Sequence, residues 1–219
     1  RRRQRQMCIR DRLNYLHVLK EISHNKALLG VMFFSLTGMI GASVVNGLNT
    51  YLYKDFFGNV KIQAVSGMLS VLYAVLSFAI TQPLANKLGK KEWCCMGAGF
   101  AAIVFGILFF FPVHNPVAFI VINGICYLGA SGMQVLIWAM VNDAIDYHEL
   151  QTGERNEGIV YSTYSFFRKL ASAVSSSLSS FTLALIGYNV NEAVQTAAVK
   201  AHIWKSYTAI YAIGYLIAV

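Results

Sequence analysis

Lys169 is the residue on which the chemistry of this sequence turns. It follows Arg168 inside the apolar run 159–186, ten residues from one boundary and seventeen from the other, or at least about 15 Å deep at helical rise. Two cations in such a segment are costly unless they have a use or a partner. Tyr161 and Ser165 precede Lys169 by eight and four residues and Ser172 follows by three, so all four share one helical face. Tyr164, five residues back, sits on the flank. An ammonium, hydroxyls and aromatic rings on one stripe could recognise a polyol, which offers hydroxyls for hydrogen bonds and apolar ring faces for stacking. Arg168 points about 100° away. It either lines a second part of a cavity or packs and reaches carbonyls. The following LASAVSSSLSSF suits close helix packing first and a hydroxyl-lined path second.

Further polar candidates flank this segment. Gln134, Trp138 and Val141 follow i, i+4, i+7 spacing, after a weak helical stretch at Gly129, Ser131 and Gly132. A buried glutamine beside a tryptophan is either a binding surface or an interhelical contact. Asp143, Asp146, Tyr147 and Glu149 come next, then Arg155 and Glu157. Residues 140–169 hold five of the chain's ten acids. Acids at a helix C-terminus oppose its macrodipole, so helix propensity does not explain them. Pairing with Arg155 would make them an ion-paired gate at the inner membrane face. A solvated loop is the alternative. Asn46, Asn49 and Tyr53 share a face at i, i+3, i+7, as a second polar lining or as packing. The four cysteines form no CxxC pair and the five histidines are scattered, so disulfide and metal frameworks find no support. No nucleophile–base set or P-loop appears either, which disfavours a membrane enzyme or an ATP-driven pump.

These residues need an apolar frame, and the composition supplies it. The 219 residues are 56% hydrophobic and 13% charged, about half the charge of soluble domains. The reading is an all-α integral membrane protein. The net charge of +8 is misleading: six arginines with Asp11 as the only acid lie in residues 1–12 and account for five of those charges. The remaining cations form no stripe, which excludes a nucleic-acid partner. The tract RRRQRQMCIRDR resembles translated sequencing-adapter read-through, and we expect it to be non-native; a basic juxtamembrane segment is the alternative.

Residues 13–26 read as a short amphipathic helix at a membrane face. Spans are expected near 27–53, 62–84, 93–111, 117–141, 159–186 and 203–219, the last cut while still apolar. The chain reads as one six-helix bundle, cut at both ends. Loops with Lys20, Lys26, Lys87, Lys90, Lys91 and Arg155 outweigh those with Lys54, Lys61, Lys200 and Lys205, so the former are expected in the cytoplasm. The turn PLANKLGKK suits anionic headgroups there, and 189–201 forms an outer loop.

The run MVNDAIDYHELQTGERNEGIVYS, leading into FFRKLASA and closing at LIGYN, resembles the glycoside–pentoside–hexuronide:cation symporters of the major facilitator superfamily, the branch with the melibiose and xyloside permeases. Its specific core is Asp143, Asp146, Tyr147, Glu149, Gly153, Arg155, Glu157 and Gly158. The resemblance covers 13–219 and implies the C-terminal six-helix half of that fold, with PLANKLGKK as the loop between spans eight and nine. It implies uptake of a sugar or glycoside with a cation by alternating access, in a bacterial inner membrane. Lys169 falls at the family's mid-membrane lysine, which couples sugar and cation sites. Tyr164 and Ser165 match sugar-facing positions. Gln134 stands where melibiose permeases carry a stacking tryptophan, and Trp138, one turn on, occurs in other members; this departure argues against a melibiose-type substrate. The coupling Na⁺ or H⁺ and the principal sugar-binding acids belong to the absent N-terminal half, which would also supply the counter-charge to Lys169. No other cofactor is implied. The partners expected are the bilayer, the sugar and that other half. Another amphiphilic organic solute on the same fold, or a non-transporting membrane sensor, are the competing readings.

Overall fold

The computed structural model describes residues 26–152, 157–192 and 194–219. Arg155, the tract 1–12 and nearly all of the amphipathic segment 13–26 lie outside the described residues. Among the described residues every regular element is a helix and there is no strand. The helices are α1 (Lys26–Tyr51), α2 (Val60–Leu88), α3 (Lys90–Phe110), α4 (Pro116–Ala130), α5 (Gly132–Thr152), α6 (Glu157–Leu185) and α7 (Ala197–Ala218), with a π-helical turn at Leu52–Phe56.

Each start and stop has a local cause. Asn59 caps α2, Asn115 caps α4 ahead of Pro116 at its first position, and Thr196 caps α7. Gly89 takes φ +102° between α2 and α3, which a side chain would oppose. The fourth apolar run is broken at Ser131, whose carbonyl accepts from the backbone of both Gln134 and Val135 while its hydroxyl donates to the Leu128 carbonyl. α2, α3 and the joined Pro116–Tyr147 are long and apolar enough to cross a membrane. α7, the shortest of the other three, has 22 residues, about 33 Å of helix.

α1 packs against α7, α6 and α5, and α3 against α7 and α4. α3 and α4 approach closely because Gly97 lacks a side chain: a Cβ there would lie 1.9 Å from the Gly129 carbonyl oxygen. The larger core gathers Trp204, Tyr53, Phe105, Phe119 and Tyr207 near the end of the bundle that holds the π turn. A smaller one joins Met32, Ile137, Val141, Ile145, Val160 and Tyr164 toward the other end.

Two boundaries differ from expectation. α5 does not end at Val141 but continues through the acidic stretch to Thr152, so Asp143, Asp146 and Glu149 stand on a helix rather than in a loop. Most of these acids are therefore more than a turn from the helix C-terminus, and the conflict with the macrodipole falls largely on Glu149. α7 starts at Ala197, so Lys200 is helical and the outer loop is shorter than expected. Hydropathy marks where a helix is immersed; backbone bonding carries it on past that depth.

Candidate substrate-facing site on α5 and α6

α6 has two distinct sides. Val160, Tyr164, Ala171, Ser175 and Ser179 are buried at helical spacing, while Ser165, Lys169 and Ser172 are exposed and Tyr161 is half-buried. The face deduced for Lys169 is therefore present and turned away from this bundle. The serine run divides between the two sides. Ser175 and Ser179 donate to carbonyls one turn back, and Ser179 also to the Val44 carbonyl at 3.0 Å across the α1 contact. Ser176, Ser177 and Ser180 stay exposed.

On α5 the open residues are Gln134, Trp138 and Asn142, at i, i+4, i+8; Val141 turns into the core. Trp138 is the centre of a cluster. Its ring lies 5.9 Å from Tyr161 and 5.3 Å, edge to face, from Tyr164. The Arg168 guanidinium stands 5.9 Å over the same indole, within reach of a cation–π attraction. Arg168 is thus half-buried against an aromatic ring that is itself 40% exposed. The Tyr161 hydroxyl donates to the Asn142 side-chain oxygen, tying the two helices together at this face. Extending the Gln134–Trp138 spacing by one more turn would have found Asn142.

Tyr164 does not belong to this face. It is 2% exposed and shares a 2.6 Å hydrogen bond with Ser35 of α1. Five residues from Lys169 is well over a quarter turn away, so its phenol supports Trp138 from beneath. Tyr53 is likewise interior: α2 covers it, and it donates to Ser66 at 3.0 Å. Asn46 remains exposed and Asn49 half-buried, with Thr50 beside them accepting from Gln63 at 2.9 Å. The second lining is thus reduced to its asparagines.

At the end of the bundle away from the π turn, Lys90 Nζ donates to Asp143 Oδ2 at 2.5 Å, joining the first turn of α3 to α5. The cation that meets Asp143 among the described residues comes from PLANKLGKK; Arg155 lies outside them. Asp146, Tyr147, Glu149 and Glu157 also have interaction partners. Glu157 opens α6, where a carboxylate favours the helix dipole. At the opposite end, Asp55 sits 5% exposed in the π turn and accepts from the Tyr188 hydroxyl at 3.1 Å. Burial first, and then that bond, push the Tyr188 pKa up. In the sequence Asp55 stands only as a polar stop to the first span, with no sign that it turns inward. Among the described residues no group of three His, Cys, Asp or Glu could hold a metal ion.

A helical membrane bundle with one polar, aromatic and cationic face is the form of half a solute carrier. The family described as MFS/sugar transport protein matches residues 2–219, and this chain belongs to it. It is 31% identical over 188 residues to "Uncharacterized symporter YjmB" of Bacillus subtilis (strain 168), covering 86% of this chain and 40% of that protein. It is 27% identical over 183 residues to the "Glucuronide carrier protein homolog" of Escherichia coli (strain K12), covering 83% and 40%. With the "Isoprimeverose transporter" of Lactiplantibacillus pentosus it shares 28% identity over 184 residues, covering 84% and 38%. The chain spans about 40% of the length of these curated relatives. It is a multi-pass integral membrane protein whose relatives are transporters.

Proposed function

We propose that these six spans form the C-terminal half of a symporter that moves a sugar or glycoside with Na⁺ or H⁺. The observation that carries this reading is the open face of α5 and α6: Trp138 meets Tyr161 across it, and Gln134, Ser165 and Lys169 stand exposed on the same two helices. The indole offers a plane for a sugar ring, and the amide and hydroxyls offer hydrogen bonds. Lys169 lies about 18 Å along α6 from Glu157, so its ammonium stands at membrane depth facing the position of the other half. Acids on that half would bind the coupling cation and exchange partners with Lys169. Rocking of one half against the other around this midplane site would give alternating access.

The inner ends act as the gate in this scheme. Lys90–Asp143 holds α3 to α5, and the remaining acids of α5, with Arg155 and Glu157, would pair across the inner mouth. The paired cations Arg168 and Lys169 favour, within the sugar class, a solute that carries a negative charge. A stacked guanidinium still presents its in-plane donors to a carboxylate. The name of the Escherichia coli relative, a glucuronide carrier homolog, agrees with that preference.

The test is uptake of radiolabelled glucuronide and xyloside by the full-length protein under an imposed Na⁺ or H⁺ gradient. Lys169→Ala should abolish gradient-driven accumulation while leaving some exchange. Unchanged accumulation would remove Lys169 from the coupling mechanism. Loss of glucuronide uptake alone in Arg168→Gln would support the anionic substrate; equal loss of both would not.

A further inference from the structure

Between the end of α3 and the first turns of α7 lies a pocket of about 430 Å³. Its floor is aromatic. Phe56 stacks on Trp204 at 4.8 Å and on His114 at 5.5 Å, and the Trp204 indole N–H is satisfied by the Leu108 carbonyl at 2.7 Å. Lys200 and Lys205 complete the lining, and among the described residues no acidic side chain contributes to it. None of its lining residues belongs to α5 or α6, and the proposed transport mechanism makes no use of it.

The surroundings say what kind of molecule reaches it. On α3, Met96, Phe100, Ile103, Ile107 and Phe110 are all exposed and recur at i, i+4, i+7, i+11, i+14. Such a stripe along a membrane helix faces acyl chains. It runs the length of α3 and ends in the pocket, since Phe110, 75% exposed, is also one of its walls. Chains thus approach along the stripe, and whatever they carry at their ends meets two ammonium groups and an imidazole. Because α7 begins six residues before its expected apolar start, Lys200 and Lys205 stand at headgroup level rather than in a free loop.

We propose that this pocket binds the headgroup of an anionic phospholipid. Lys200 and Lys205 meet the phosphate, His114 and Trp204 pack against the glycerol region, and one chain follows the α3 stripe. The volume suits a headgroup with its glycerol, not a whole lipid. A cation near an anionic lipid is worth roughly a factor of five in binding.

The experiment uses the full-length transporter, delipidated in detergent and offered phosphatidylglycerol or phosphatidylcholine, with retained lipid counted by native mass spectrometry. Phosphatidylglycerol should be retained in preference, and Lys200→Gln/Lys205→Gln should cut its retention about 25-fold. The pair Lys54→Gln/Lys61→Gln, at the same end but outside the pocket, should leave it unchanged. Lys200→Arg/Lys205→Arg should restore it, and Lys205→Gln alone, at an exposed position, gives a reading if the double variant does not fold. Equal retention of both lipids, or equal losses from both lysine pairs, would overturn the proposal. Displacement of the lipid by millimolar glycerol phosphate would also overturn it, by making the site one for a soluble phosphate.

Discussion

Trp138 is held from two sides and open on a third. Tyr164 supports its edge, Arg168 covers part of its face, and Tyr161 stands alongside. This arrangement separates residues that touch solute from those that hold the ring. Trp138→Ala should raise the KM for uptake by about 5–30-fold, from about 1–2 kcal/mol of lost stacking, with Trp138→Phe recovering part of it. Tyr164→Phe should behave differently. It breaks the bond to Ser35 and should cost about 0.5–1.5 kcal/mol of stability, read as a lower Tm, with KM little changed. If Tyr164→Phe alters KM and leaves Tm alone, the tyrosine faces the solute after all.

At the scale of elements, α1 and α6 are joined at Val44, Gly47 and Ser179 by small residues. Ser179 bonds the Val44 carbonyl, and a Cβ on Gly47 would lie 2.5 Å from the Ser179 oxygen. Ser179 cannot turn aside without giving up its carbonyl bonds. Gly47→Ala should therefore lower stability by about 1–3 kcal/mol, whereas Gly106→Ala, with open space around it, should not. The Lys90–Asp143 pair is exposed on both sides and contributes only about 0–1 kcal/mol to folding. Its effect belongs to conformational balance. Asp143→Asn should increase labelling of cysteines placed at the inner mouth, and the exchange Lys90→Asp/Asp143→Lys should reverse that. At the other end, Tyr188 donates to buried Asp55. Its raised pKa keeps the phenol protonated, so this latch persists through neutral pH and is lost only as pH climbs beyond the ordinary tyrosine value of 10.0. Protease accessibility of the loop at 186–196 should rise above that pH and, in Tyr188→Phe, already at pH 7.

The whole bundle presents two kinds of surface. α3 shows a continuous apolar stripe, while α5 and α6 show an aromatic, hydroxyl and cationic face. Exposed charge at membrane depth is costly, which is why the proposed function sets the second face against the other half. Liposomes containing the 219-residue chain should show no cation-driven accumulation, and liposomes containing the full-length transporter should. Accumulation by the chain alone would contradict the assignment of the cation site to the other half.

Hydropathy by itself determined the fold class, because runs of about 20 apolar residues have few alternatives to spanning helices. It also placed Lys169 with Ser165 and Ser172 on one face, since i±3 and i±4 spacing holds on any α-helix. The acidic run carried the family. What one chain's periodicity does not contain is which neighbour covers a given face. Tyr164 and Tyr53 are apolar rings with one hydroxyl, equally suited to a cavity or a core, and only the contacts with Ser35 and Ser66 decided for the core. Asp143 found Lys90, 53 residues away in sequence, because α3 and α5 meet there. Arg168 found Trp138 because the open edges of α5 and α6 converge there. Local spacing sets the face a side chain occupies; tertiary packing alone sets whether that face meets core, lipid or solute.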